Sequence, residues 1–283
     1  LGLYHANGPM DFAMARSFMP PGGHLSLWFN YTFFNAGYSR AGPWEALLYG
    51  CRSFGCFKAS AGDGYYAFFN NDLTPTFNFR HTAEQLTPIL EGIGDLVLSL
   101  ERHDPGIRVL YDYLNVHRAG PGFLPNKQMY HLLDDAGFPL AYAAQDRLDA
   151  DLALPRVKTL VLAGHPRLNG TAEKAVRQFA AAGGHLLADT APAEIADLFA
   201  DTAAMKEALA PDTLAAHTRT TERGKTLLIG RPLDGYLRAR YLPAGTHLRA
   251  AVGAFLEGTG TAPACRVRSA DAAFRPVSKA EFT

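Results

Sequence analysis

Beyond Ile107 the chain alternates short apolar runs with stretches of helical spacing. "IRVLYDYL" (Ile107 to Leu114), "PLAYAAQ" (Pro139 to Gln145), "TLVLAG" (Thr159 to Gly164), "HLLAD" (His185 to Asp189) and "KTLLIG" (Lys225 to Gly230) read as strands. The third is a continuous Leu and β-branched run, the signature of a strand covered on both faces of a parallel sheet. Between these runs, Leu124, Met129, Leu132, Leu133 and Ala136 mark a helix face stopped by Gly137. Ala172, Ala175, Val176, Phe179 and Ala180 mark a second, over Thr171 to Ala182, stopped by Gly183 and Gly184. Leu248 to Leu256 closes with a third. Strand–helix alternation of this kind predicts a doubly wound α/β domain.

The first hundred residues follow a different pattern, aromatic and dense in Gly and Pro. "HLSLWFNYTFF" (His24 to Phe34) predicts a strand after the Pro20-Pro21-Gly22-Gly23 turn, and Pro43 to Gly50 a short helix with Pro43 at its first position. Phe54 to Ala59 predicts the next strand. His81 to Leu100 keeps helical spacing through Ala83, Leu86, Ile89, Ile93, Leu96 and Leu100, with Pro88 either opening or kinking it. The turn cluster His103-Asp104-Pro105-Gly106 marks a boundary. The expected division is 1–104, 105–262, and a segment 263–283 that is a tail or the start of a small β module.

Composition narrows the class. The chain has 283 residues, 48% hydrophobic and 19% charged, enough for two packed domains. Lys+Arg and Asp+Glu are 27 each, and that balance argues against a nucleic-acid partner, which calls for a basic excess. No run approaches the ~18 apolar residues of a membrane span, so no membrane partner is expected. The chain begins at Leu1 rather than Met, so upstream sequence is expected, and the compartment stays unassigned. Cys51, Cys56 and Cys265 are too few for a disulfide framework, and Cys51-x4-Cys56 lacks a second pair for zinc. They read as free, buried thiols. "NVHRAGPG" is no phosphate cradle, and no cofactor or metal is expected.

The order of these pieces, with three particular stretches, resembles the C-terminal half of the family 42 β-galactosidases. "PWEALLYGCRSFGCF" is similar to the family's helix into the eighth barrel strand, with Trp44, Glu45, Ala46 and Gly50 in matching places. "FNFRHTAEQLTPILEGIGDLVLSL" resembles the helix after the barrel, and "VLAGHPRLNGTAEKAVRQFAAAGGHLLADT" the strand–helix–strand of the following domain. The resemblance implies a fold: the end of a (β/α)8 barrel, whose first six strands are not in this chain, then a flavodoxin- or amidotransferase-like domain. It also implies a glycoside hydrolase part acting on β-galactoside-like bonds, and a homo-oligomer, a trimer before a dimer. The rest of the barrel would then lie on another polypeptide or have been removed.

Retaining glycoside hydrolysis needs two carboxyl groups about 5–5.5 Å apart across the scissile bond. By the resemblance, the acid/base would come from strand four and the nucleophile from strand seven. The strand-seven candidate, "LSLWFNYTFFN", holds no carboxylate. Glu45 is the nearest acid and has two readings, a stand-in nucleophile or a first-turn helix acid favoured by the macrodipole; the second weighs more. Asp63, in "AGDGYY", is either a sugar-hydroxyl acceptor on a barrel loop or a turn residue between glycines. Sugars stack their C–H faces on aromatic rings, and Trp28 is the first candidate platform, ahead of Tyr31, Trp44, Tyr65 and Tyr66. Asn30 and Lys58, near strand ends, could hydrogen-bond hydroxyls. A rival chemistry, thiolate amidotransfer, needs a Cys on a strand-to-helix elbow. After "HLLAD" stand Thr190, Ala191 and Pro192, and all three cysteines lie outside 107–262. His165 reads as a loop residue without a nucleophile partner. Two functions from different classes therefore remain: part of a glycoside hydrolase, or a non-catalytic carbohydrate-binding or structural protein on the same fold.

Overall fold

The structure, a computed structural model, describes residues 2–4, 9–20, 22–29, 36–56, 68–100, 104, 106–113, 123–164, 166–199, 217–220, 224–230 and 233–263. The chain divides into two compact units, Leu1–His103 and Asp104–Phe282.

The first unit is built on three parallel strands in chain order, β1 (Gly2–Tyr4), β2 (Leu25–Phe29) and β3 (Cys51–Cys56). Helix α1 (Pro9–Phe18) links the first two, and α2 (Ala36–Leu48) the second and third. Strand alternation explains the layering. Leu25 and Leu27 are buried on one face with Phe12 and Ala15 of α1, Ala46 of α2 and Cys51. Both crossover helices thus cover the same face of a sheet whose order never reverses. A barrel wall is built this way, whereas a doubly wound sheet reverses its strand order and carries helices on both faces. On the other face Ser53 Oγ donates to Ser26 Oγ at 2.5 Å, a polar pair open to solvent.

Several local expectations are corrected. The sheet has a third strand, β1, ahead of the two read from the sequence. The helix expected from Pro43 begins at Ala36, and Pro43 lies inside it. Glu45 is therefore in the last turn of α2, not the first, and the macrodipole there disfavours its charge. Gly50 closes the turn at φ 84°, and β3 starts at Cys51, before the expected Phe54. β2 is described as far as Phe29, and residues 30–35 and 57–67 lie outside the described residues. The next helix, α3 (Phe77–Pro88), starts earlier than His81 because Thr76 caps it, its hydroxyl accepting from the Phe79 amide at 3.4 Å. Pro88 ends this segment. A π-helical turn over Ile89–Ile93 follows, with Gly92 at φ 131°, and then α4 (Gly94–Ser99). Trp44 Nε1 donates to Gln85 Oε1 at 2.8 Å, pinning α2 to α3.

The second unit is a six-stranded sheet. Its strands are β4 (Ile107–Tyr111), β5 (Ala141–Ala144), β6 (Thr159–Leu162), β7 (His185–Ala188), β8 (His217–Thr220) and β9 (Lys225–Leu228). Their order is β5-β4-β6-β7-β9-β8, parallel except for the β8–β9 pair at the edge. Every residue of β6 is buried, as its uninterrupted apolar run requires. Leu160 and Leu162 face Ala172, Ala175, Val176 and Phe179 of α7 (Gly170–Ala181), with Leu148 and Leu152 of α6 (Leu148–Leu152). Helix α5 (Phe123–Asp135) is held to α8 (Tyr236–Ala239) by the Asp135 carboxylate, which accepts from Tyr236 Oη at 2.6 Å and from Arg240 Nε at 3.0 Å. Helix α9 (Pro243–Gly258) buries Leu248, Val252 and Leu256. The predicted class holds: an α/β chain with a partial barrel wall followed by a doubly wound, flavodoxin-like unit.

Candidate functional site

In a barrel built of strand–helix units, ligands meet the carboxyl ends of the strands. In the first unit that end is formed side by side by Tyr4, Trp28 and Gly55, then by Phe29 beside Cys56. Trp28 thus stands where the sheet meets its upper loops, flanked on β3 by a residue without a side chain. Asn30, Tyr31, Lys58 and Asp63 follow directly in sequence but lie outside the described residues, as do Tyr65, Tyr66 and His165.

Glu45 is placed elsewhere. Helix α2 runs from the carboxyl end of β2 back to the amino end of β3, so its last turn lies at the amino-terminal rim of the sheet. Glu45 is half-buried there, and burial pushes its carboxyl above the ordinary carboxylate value. Trp44, the other tryptophan, is committed to Gln85. One acid that the sequence reading passed over sits at the upper rim: Asp11, in the first turn of α1, just after β1. The signal was present, with Pro9 at the first position, Asp11 in the first turn and Arg16 in the last.

The second unit has its own crevice, at the carboxyl ends of β4 and β6, where the strand order reverses and open α/β sheets take their ligands. Here the chain's own side chains serve the surrounding backbone. The buried Asp189 accepts the Gly164 amide at 3.1 and 3.2 Å and the Leu233 amide at 3.0 Å. The buried Asp112 accepts the Arg167 amide at 3.3 Å. Gln145 donates to the Arg167 carbonyl at 2.6 Å and accepts the Asn169 amide at 3.1 Å. Strand β7 leads into a bend and a 3₁₀ segment, Ala193–Leu198, rather than into an elbow and helix. None of these seven residues carries a thiol.

No family model matches the chain, and no curated protein matches it in sequence. Solved structures do match in fold. A catalytic mutant of Gan42B, a GH42 β-galactosidase from G. stearothermophilus, is similar over 92% of this chain and 47% of its own, with TM-score 0.66 and 14% identity. The β-galactosidase of Bacillus circulans sp. alkalophilus covers 83% of this chain and 43% of its own, with TM-score 0.60 and 14% identity. The β-galactosidase of the Antarctic haloarchaeon Halorubrum lacusprofundi covers 89% and 46%, with TM-score 0.57 and 14% identity. The chain therefore spans about half the length of the structures it matches. At this identity the likeness shows the fold alone, one that the chain shares with part of these β-galactosidase structures.

Proposed function

We propose that this chain is the closing part of a glycoside hydrolase acting on β-galactoside-like bonds. In this reading it supplies the last strands of the barrel wall and an amidotransferase-like assembly unit. The observation that carries the reading is the three-stranded parallel wall with both crossover helices on one face, a construction that becomes a closed site only within a larger barrel. Carbohydrate would bind at its upper rim. Alternation along β2 puts position 28 on the face of Ser26, away from the helices. Trp28 then offers the stacking platform, with Asn30, Tyr31, Lys58 and Asp63 hydrogen-bonding hydroxyls from the loops above. Glu45, at the opposite rim, is proposed as a structural acid, and both reacting carboxyls would come from a polypeptide completing the barrel. The second unit, its crevice knitted by its own side chains, serves assembly, with a trimer favoured. One observation supports the other reading, a non-catalytic carbohydrate-binding protein: "NYTFFN" after β2 contains no acid where a nucleophile would stand.

The chain has two tryptophans, which makes a direct test possible. In the Trp44→Phe variant only Trp28 emits; in Trp28→Phe only Trp44 does. Galactose and lactose titrations should change emission in the first variant and leave the second unchanged. The isolated chain should leave nitrophenyl galactoside intact. Robust turnover by the isolated chain that Glu45→Gln abolishes would overturn the assignment of Glu45, and a sugar response from Trp44 alone would overturn that of Trp28.

A further inference from the structure

The three-stranded wall carries an irregularity that shapes its inner face, the one away from the helices. Leu25 pairs with Cys51 and Ser26 with Ser53, so Arg52 is an extra residue, a β-bulge in β3. Strict alternation from the buried Cys51 would set Arg52 on the inner face and Ser53 against the helices. The bulge shifts that order by one. Phe54 packs into the cluster of Leu25 and Leu27, Ser53 meets Ser26 Oγ at 2.5 Å, and Gly55 pairs with Trp28. Bulges of this kind re-aim side chains, and here the re-aimed residues are a hydroxyl and a glycine.

Barrel interiors are filled by layers of bulky branched side chains. This wall offers none of them. Its inner positions are Gly2, Ser26 and Ser53 at one level, then Tyr4, Trp28 and Gly55 at the next. None of these carries a charge, and the lower level holds nothing larger than serine. Room is therefore left beside position 28, where β3 has a glycine, and below it as far as the serine pair. Ser26 lies two residues from Trp28 along the strand, about 7 Å nearer the amino end, within reach of a sugar seated on the rim. Neither serine hydroxyl has a further hydrogen bond among the described residues. Two hydroxyls hold two protons and four lone pairs, and their mutual bond uses one of each. The spare proton and lone pairs are the complement of one added hydroxyl, which accepts once and donates once.

We infer that Ser26 and Ser53 form a subsite for the hydroxymethyl group of a neutral hexose, with Gly55 as the residue that admits it. The inference rests on the carbohydrate reading of Trp28 above and gives that site an orientation and a selectivity. A ring stacked on Trp28 keeps its ring hydroxyls near the level of the platform. The exocyclic arm extends past the ring edge and turns freely about its own bond. It is the group that passes beside position 55 and closes a ring of three hydroxyls with Ser26 and Ser53. A uronate carboxylate in the same place finds no counter-charge on this face, and its desolvation goes uncompensated.

The test compares sugars that differ at that one group, in the Trp44→Phe chain, whose emission comes from Trp28 alone. D-Galactose should bind at least about tenfold more tightly than D-fucose, its 6-deoxy analogue, and galacturonate no better than D-fucose. Ser26→Ala and Ser53→Ala should each weaken galactose to the D-fucose level and leave D-fucose unchanged. Ser53→Thr keeps the hydroxyl and should keep the preference. Gly55→Val should weaken galactose at least about tenfold and leave L-arabinose, the same ring without the arm, unchanged. A preference for galactose that survives both serine-to-alanine changes overturns the subsite, as does a parent chain that binds D-fucose equally well. Serine variants that lose D-fucose and galactose alike also overturn it, since that pattern belongs to a purely structural pair. Each of these results leaves stacking on Trp28 standing. A Trp28 that responds to none of these sugars overturns the carbohydrate site and the subsite together, so the two failures are distinguishable.

Discussion

Replacing Asp104 by Asn removes a charge that the second unit uses at its first residue. The Asp104 carboxylate accepts from Arg108 at 2.8 and 2.6 Å, lies 2.5 Å from Arg156 Nε, and accepts the Gly106 amide at 3.0 Å. Partial burial pushes its carboxyl up, but the Arg108 and Gly106 hydrogen bonds and the charges of Arg108 and Arg156 outweigh this and hold it at about 2, against an ordinary 3.8. A group depressed in the folded state stabilises above its unfolded value, and that stabilisation is lost as pH falls through the folded value. The shift corresponds to roughly 2.4 kcal/mol at pH 7 and about half of that at pH 3. Solvent reaching a carboxylate 24% exposed screens the first figure to about 1–2 kcal/mol. Leaving Arg108, only 6% exposed, without its counter-charge adds to the loss. Asp104→Asn should therefore cost about 2 kcal/mol at pH 7 and markedly less at pH 3. Both tryptophans lie in the first unit, so their emission reports that unit while far-UV circular dichroism follows both. Urea unfolding at several pH values should show the deficit in the dichroism and little change in emission. A deficit that does not shrink between pH 7 and pH 3 would refute the reasoning.

Gly106→Ala should cost at least about 2 kcal/mol in the same urea experiment, since Gly106 has φ 70° and a Cβ would stand 2.4 Å from the Arg156 carbonyl oxygen. Trp44→Phe loses the indole bond to Gln85 and should lower the thermal midpoint of the first unit by an amount matching about 1 kcal/mol, with Gln85→Leu in the Trp44→Phe background adding little. Glu45→Gln should raise stability as pH increases, because burial holds the Glu45 carboxyl above its ordinary value and its ionisation opposes folding; equal stability of the two proteins from pH 4 to pH 8 would count against that burial.

Where a stretch answers to one periodicity, the sequence was readable. β6 and α7 lie within a residue or two of their predicted places because a run buried on both faces and a helix with one apolar stripe each leave a single solution. Around Pro43 the reading failed, because a proline marks a helix start by default and here the preceding residues extend the helix through it. β1 spans only three residues, too few for alternation to register, and β8 reads as a polar stretch because it is an edge strand. The candidate site was legible as chemistry rather than as geometry. Trp28 is recognisable as an aromatic residue near a strand end, but that Glu45 lies at the far rim follows only once the direction of α2 and its length are known.

Asp189 carries a lesson about descent. Its carboxylate joins the ends of three strands by taking amides from two loops at once, and each would lose its partner if the side chain shortened or lost its charge. Selection acting on folding alone would hold that position fixed while the loop residues around it drifted. Among relatives of this chain, position 189 should then vary least in the crevice on folding grounds alone, and its invariance would be no sign of catalysis.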